Sequence, residues 1–231
     1  LELLRFETTK TETGKRASFR DYVSRMQAEQ KDIYYLVGEH RDLLERSPNL
    51  EYFRKNDLEV LLLSDPVDVF SIPAIFEFDS KRLVSIEKAD LNIPADAETP
   101  AAGADETDTA PLLAFIKEQL GDAVEDVVAS KRLVDSAATL VAGKKGMDAQ
   151  MERVMKLMDK EYSGSKRILE LNLAHPLIRN LARLHASGAD EALVKDCVQQ
   201  IYQGASLIEN TLDAPADFVR RMTEIMERAT R

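Results

Sequence analysis

The sequence predicts a small α/β unit of parallel strands with flanking helices, followed by an α+β domain that ends in a helical bundle. Three observations lead there: two short apolar runs separated by a helix signal, an acidic stretch without Lys or Arg, and two long apolar stripes at helical spacing near the C-terminal end.

The apolar runs at 33–37 and 59–63 are rich in β-branched and aromatic residues and lack polar alternation, so both suit strands buried on two faces. Between them, Ser47-Pro48 reads as an N-cap followed by a proline in the first helical turn, opening a helix through Leu50 and Phe53. A strand, a helical crossover and a second strand imply a parallel pair with a right-handed connection. The preceding helix begins at Ser18, whose side chain can cap the amide of Arg20 or Asp21, and it carries Phe19, Tyr22, Val23 and Met26 on one face. A helix over 65–78 is expected, capped by Ser64 or Asp65 with Pro66 in its first turn and interrupted near Pro73, and then a short strand at 83–86.

From Ala89 to Ile116 there is no Lys or Arg, and residues 92–111 are packed with Ala, Pro, Asp, Glu and Thr, a composition that buries too little apolar surface to offset chain entropy. The expected organisation is the tail of a preceding subdomain over 1–17, the small α/β subdomain over 18–91, an acidic flexible linker over 92–110 and a second domain over 111–231. In that second domain helices are expected at 111–120, 147–162, 176–186, 190–209 and 215–229, and strands at 124–128, 139–142 and 168–171.

Composition excludes several classes. Thirty-one basic against 41 acidic residues, a net charge of −10, disfavours a nucleic-acid surface, because phosphate neutralisation needs clustered cations. One cysteine, Cys197, rules out an internal disulfide and fits a reducing compartment. No apolar run approaches the roughly eighteen residues of a membrane span. The chain opens without methionine at Leu1-Glu2-Leu3-Leu4-Arg5-Phe6 and reads as a fragment of a longer, cytoplasmic protein.

Chemistry-bearing residues are sparse. His175 and His185 are ten residues apart, about 15 Å along a continuous helix, too far to share a metal. Cys197 shares a helical face with Val194, Val198 and Ile201 and reads as a small buried hydrophobe. Gly143-Lys144-Lys145-Gly146 has phosphate-loop letters without a preceding buried strand in phosphate-loop spacing. Asp65, Asp68 and His40 could form an acid–base site on paper, but Asp65-Pro66 is better explained as a helix start.

The stripes are more informative. Met147, Met151, Val154, Met155 and Met158 fall on one helical face, with Glu152 and Lys156 able to pair on the polar side. The face is either an ordinary core stripe or an adaptable surface for varied apolar partners, which methionine's unbranched thioether suits. Val194, Cys197, Val198, Ile201, Ala205 and Ile208 form a second stripe, and Phe218, Val219, Met222, Ile225 and Met226 a third. The last two either fold back on their own domain or meet a twofold mate as a four-helix dimerisation bundle.

The ordered segments Asp21-Tyr22-Val23-Ser24-Arg25-Met26, Lys31 to Glu39, Ser47 to Glu51 and Glu59 to Phe70 together resemble the middle domain of the heat-shock protein 90 chaperone family. Lys131 to Val141, Met147 to Met155, Leu169-Glu170-Leu171-Asn172 and His175-Pro176-Leu177-Ile178 are similar, in that order, to its carboxy-terminal domain. Ala137, Leu173 and Ala214 depart from the family pattern at two prolines and one acidic residue, which bears on local turns. The chain ends Met226-Glu227-Arg228-Ala229-Thr230-Arg231, without the acidic tail of cytosolic eukaryotic members, and so resembles the bacterial type first and an organellar one second. The resemblance implies an ATP-driven dimeric chaperone, with ATP and Mg held upstream of Leu1, no cofactor or catalytic residue in this fragment, and co-chaperones as further partners. It implies client contact by the Met147 helix and by Phe70, and dimerisation through the last two helices. A stand-alone dimeric scaffold without chaperone activity is the alternative, and an α/β enzyme a third reading.

Overall fold

The computed structural model describes residues 2–72, 74–89, 91, 106–143, 146–147, 149–159 and 164–230. In chain order its elements are β1 (Glu7–Thr8), α1 (Phe19–Arg25), β2 (Asp32–Val37), α2 (Arg41–Leu44), α3 (Glu51–Lys55), β3 (Val60–Leu63), α4 (Asp68–Ser71), β4 (Glu77–Phe78) and β5 (Lys81–Ser85). There follow α5 (Glu106–Leu120), β6 (Val124–Ala129), β7 (Ala138–Ala142), α6 (Ala149–Met158), β8 (Arg167–Leu171), α7 (Pro176–Ser187), α8 (Glu191–Ile208) and α9 (Pro215–Ala229). The chain divides into two compact units, residues 1–93 with 142–165, and residues 94–141 with 166–231. Among the described residues the backbone passes from unit to unit at 141–142 and at 165–166.

In the first unit the sheet runs β1-β3-β2-β5-β4, with β2 parallel to both β3 and β5 and antiparallel two-residue strands at each edge. The parallel β2–β3 pair expected from the apolar runs is present, Tyr34 lying opposite Val60 and Val37 opposite Leu63. Alternation sends Ile33, Tyr35, Val37, Leu61 and Leu63 to the face covered by α1, where Phe6, Phe19 and Tyr22 complete the core. On the other face Tyr34 meets Phe53 of α3 edge-on, ring centroids 4.8 Å apart. Two of the three expected caps form, at Ser18 and Ser47. The Ser18 hydroxyl accepts from the Asp21 amide in a reciprocal capping pair, and the Asp21 carboxylate accepts from the Ser18 hydroxyl and from the Ser18 amide, which hold the carboxyl below its usual range. Ser47 accepts from the Asn49 amide and opens a single 3-10 turn that continues as α3.

One expected element is replaced. Instead of a helix over 65–78, α4 ends at Ser71 and the chain turns through β4 and β5 as a hairpin. The hairpin closes through Asp79 and Ser80, both at positive φ, the two-residue geometry that suits the right-handed strand twist. Its usual marker is a glycine in the turn, which Asp79-Ser80 lacks. The expected cap does not form either: the N-cap of α4 is Val67, without a side-chain bond, and the Asp65 carboxylate accepts instead from the Val67 amide at 3.0 Å in the turn before the helix.

Among the polar groups of this unit the Tyr22 hydroxyl, on α1, is fully buried. It donates to the Glu59 carbonyl at 2.6 Å and accepts from the Gln30 amide nitrogen and the Tyr34 backbone N–H, tying α1 to the starts of β2 and β3. Burial drives this phenol far above its ordinary range, so it stays protonated. Arg25 reinforces the same junction with two bonds to the Glu59 carboxylate, at 2.9 and 2.7 Å.

In the second unit the strands run β6-β8-β7, with β8 central and parallel to β6. Helices α5, α7 and α8 close one core, in which Leu112, Ile116 and Leu120 of α5 join Val127, Leu169, Ile178, Leu181, Val194 and Val198. Helix α5 opens at Glu106, inside the segment expected to be linker, so Pro111 sits within the helix rather than at its start. The remaining expected linker residues, 92–105, lie outside the described residues. Strands β6, β7 and β8 and the last three helices match the expected elements closely.

This unit is anchored by a buried ion pair. Arg132, 1% exposed, gives Nε and Nη2 to the two carboxylate oxygens of Glu170, each at 3.0 Å, and the Ser130 hydroxyl donates to the same carboxylate at 2.8 Å. Asn172 holds the other end of the loop, donating to the carbonyls of Val134 and Ser136.

Two changes test these anchors. Tyr22→Phe takes a partner from the Glu59 carbonyl, the Tyr34 N–H and the Gln30 amide, the last of which keeps its bond to the Asp32 carbonyl, and should cost about 1–3 kcal/mol in urea unfolding; an unchanged midpoint would remove the hydroxyl from the account. Arg132→Ala should cost about 3–5 kcal/mol by leaving a buried carboxylate unpaired, whereas Arg132→Met with Glu170→Leu should recover most of that loss. A double variant no more stable than the single one would show that the pair itself, not the uncompensated charge, carries the energy.

Candidate functional site

The Met147 helix forms as α6, which starts two residues later and ends one turn earlier than expected, so Met147 lies before the helix rather than on its face. It belongs to the first unit, not to the second domain in which the sequence pattern put it. The reason lies on its apolar face: Met151 and Val154 rest against the core of Phe6, Phe19, Ile33 and Leu61. Met155 is also half-buried, while Met147 and Met158 are exposed, Met158 by 75%. The stripe is thus divided between packing and solvent. The side chain of Lys156, the expected partner of Glu152, lies outside the described residues. Glu152 itself is buried, and it accepts from the backbone N–H of Ser165 at 3.0 Å and from the Ser165 hydroxyl. No spacing rule links residues thirteen apart, so this partner was invisible in the pattern.

Helix α4 touches α6 within the same unit, and it carries Phe70, 54% exposed. Two exposed apolar residues beside it were missed: Val67 just before the helix, and Phe76, 81% exposed, before β4. Phe76 falls where a helix was expected, and its exposure follows from the hairpin that replaced it.

The other two stripes part company. Val194 and Val198 of α8 lie in the core of their own unit, with Cys197 and Ile201 half-buried against it, so no surface of the two valines is left for a partner. Ile208, at the C-terminal end of α8, is exposed together with Leu207. In α9 no residue is buried: Phe218 and Ile225 are half-covered, and Val219, Met222 and Met226 are exposed. Arg228 reaches back to Asp196 at 3.5 Å, which sets α9 against α8.

The chemistry-bearing residues take structural roles. His175 caps α7, its Nδ1 accepting from the Leu177 amide at 3.1 Å, and His185 stacks on Phe115 with ring centroids 4.4 Å apart. Burial, with Asp196 nearby, pushes the Cys197 thiol up and away from the reactive thiolate. Asp68 is also raised, by burial first and by Asp65 second, and His40 makes no side-chain cap at the start of α2. Among the described residues no three His, Cys, Asp or Glu side chains converge to hold a metal, and no helix is long and apolar enough to cross a membrane. Lys144 and Lys145 lie outside the described residues. Strand β7 runs directly into Gly143, but two residues rather than four separate the glycines and no Lys-Ser or Lys-Thr follows the second, so the segment does not fit a phosphate loop.

Comparison with known proteins adds to this geometry. The family model described as Hsp90 protein matches residues 1–231. The chain is 50% identical over 233 residues to the Chaperone protein HtpG of Chlorobium phaeovibrioides, covering 100% of this chain and 37% of that relative. It is 49% identical to the HtpG of Chlorobaculum tepidum, with 100% and 37% covered, and 41% identical to that of Geobacter metallireducens, with 97% and 35% covered. It therefore spans little more than a third of the length of these curated relatives. With a family match along its whole length, and with relatives in that family this similar across all or nearly all of it, this chain belongs to the Hsp90 family.

Proposed function

We propose that this chain is the dimerising and client-holding part of an ATP-driven chaperone, with ATP and magnesium handled by portions of the relatives that it does not span. The relatives are named as chaperones, and α9 supports the assignment of an interface here: it is an amphipathic helix of fifteen residues with none of them buried in its own protomer. An apolar face of that kind needs cover in water. A twofold mate presenting the same face would bury Val219, Met222 and Met226 of α9 and Leu207 and Ile208 of α8 at an isologous contact. Val194 and Val198 act from behind, holding α8 straight against its core.

Client contact is assigned to the exposed part of the first unit, where Met147 precedes α6, Met158 ends it, and Phe70 and Val67 stand on or beside α4. Flexible thioethers and isolated aromatics make weak, adaptable contacts, which suits unfolded or partly folded segments of varied sequence. Cytoplasmic location and co-chaperone partners belong to the same proposal.

Two measurements test it. Ile208→Glu with Val219→Glu should convert a dimer to a monomer in light scattering, because each charge would be buried unpaired at a cost of several kcal/mol, roughly 3–5 per site. A parent chain that is monomeric at tens of micromolar would refute the interface. Met147→Ser with Met158→Ser should change stability by under about 0.5 kcal/mol, both side chains being exposed, and should weaken suppression of client aggregation. Met151→Ser serves as the contrast, since its half-buried side chain should cost about 1 kcal/mol or more. Unchanged suppression by the exposed pair would remove α6 from client contact, and a parent chain with no suppression would favour a scaffold.

A further inference from the structure

We infer that the outer edge of β6 is a strand-addition site for an extended polypeptide segment bearing lysine or arginine, a reading that rests on the chaperone assignment and adds a second place where a client is held. The inference starts from the ladder. The Ser130 N–H donates to the Leu171 carbonyl at 2.8 Å, and Val128 lies opposite Glu170. In a parallel ladder this alternation turns the backbone groups of residues 126, 128 and 130 toward β8 and those of Val127 and Ala129 away from it. Among the described residues, nothing pairs with the outward groups of Ala129, which is exposed. Among the described residues the outward N–H of Val127 is held only by the carboxylate of its neighbour Asp126, at 2.8 Å. An incoming carbonyl would replace that bond and release the carboxylate.

The two sheets treat their edges differently. In the first unit both edge strands are two residues long, too short to template another chain. β6 runs for six residues, enough for an added strand to form a regular ladder.

Charge selects the occupant. Residues 121–129 read Gly-Asp-Ala-Val-Glu-Asp-Val-Val-Ala, with three acids and no base. Lys166 answers Asp122 at 2.6 Å, but the exposed Glu125 and Asp126 have no cationic partner among the described residues. A bulge between Val124 and Asp126 sets Glu125 out of the regular alternation at the entrance of the edge. A segment with basic residues at alternate positions would place them over these carboxylates while its main chain bonds Val127 and Ala129.

The test uses the 231-residue chain and a fluorescein-labelled peptide of alternating valine and lysine, with an alternately N-methylated copy and a valine–glutamate copy. Anisotropy should report binding of the first peptide alone, and exchange of the Val127 and Ala129 amides should slow on binding while that of Val128 does not change. Ala129→Pro removes one outward donor without touching the β8 ladder and should weaken binding by about tenfold or more. Glu125→Lys should weaken the lysine peptide and strengthen the glutamate one. Equal binding by Ala129→Pro, or by the N-methylated peptide if that variant does not fold, overturns the inference, as does unprotected exchange at Val127 and Ala129. So does self-association that Ala129→Pro abolishes in the absence of peptide binding, which would give the edge to a second copy. In each of these cases client suppression by the parent chain is read separately, so the chaperone assignment stands or falls on its own assay.

Discussion

The second unit depends on one interaction, the bidentate pair between Arg132 and Glu170. Both groups are almost wholly withdrawn from water, and the fork-on-fork geometry with the added Ser130 hydroxyl helps to offset the cost of desolvating them. Glu170 lies on the central strand and Arg132 on the loop that precedes β7, so the pair fixes where the loop crosses β8. Two residues on, Asn172 bonds the far end of the same loop and also accepts from the Ala174 amide, which shapes the turn into α7. Strand, loop and helix start are therefore set by neighbours on one short stretch of chain. Lys131-Arg132-Leu133-Val134 and Leu169-Glu170-Leu171-Asn172, far apart in the sequence, carry the family resemblance and meet here.

Much of the fold was legible because local chemistry decided it. Uninterrupted apolar runs became β2 and β3, and Ser18 and Ser47 became caps, since each signal acts over a few residues. The β4–β5 hairpin was not legible, because Asp79-Ser80 adopts positive φ without the glycine that announces such a turn. The start of α5 was misplaced for a related reason. Pro111 reads as a first-turn residue, yet the helix extends a further turn toward Glu106 on its N-terminal side.

Site residues were legible as stripes but not as destinations. Periodicity says which face of a helix is apolar, never which core or partner receives it. Hence α6 appeared with the right face and in the other unit, and α8 appeared as an interface although Val194 and Val198 seal their own core. Phe76 lay within a segment assigned to the wrong secondary structure, and its exposure could not be foreseen from there. The same limit applies to Glu152, whose partner Ser165 is brought near only by the fold.

The excursion of α6 has a consequence for how the chain is made. β6 and β7 leave the ribosome before residues 142–165, which belong to the other unit, and the central strand β8 comes only afterwards. At ordinary synthesis rates those intervening residues take about one to five seconds. During that interval β6 and β7 have no strand between them, and Arg132 has no Glu170. The second unit therefore cannot complete its sheet until residues 142–165, which its neighbour takes up, have been made and β8 has followed them.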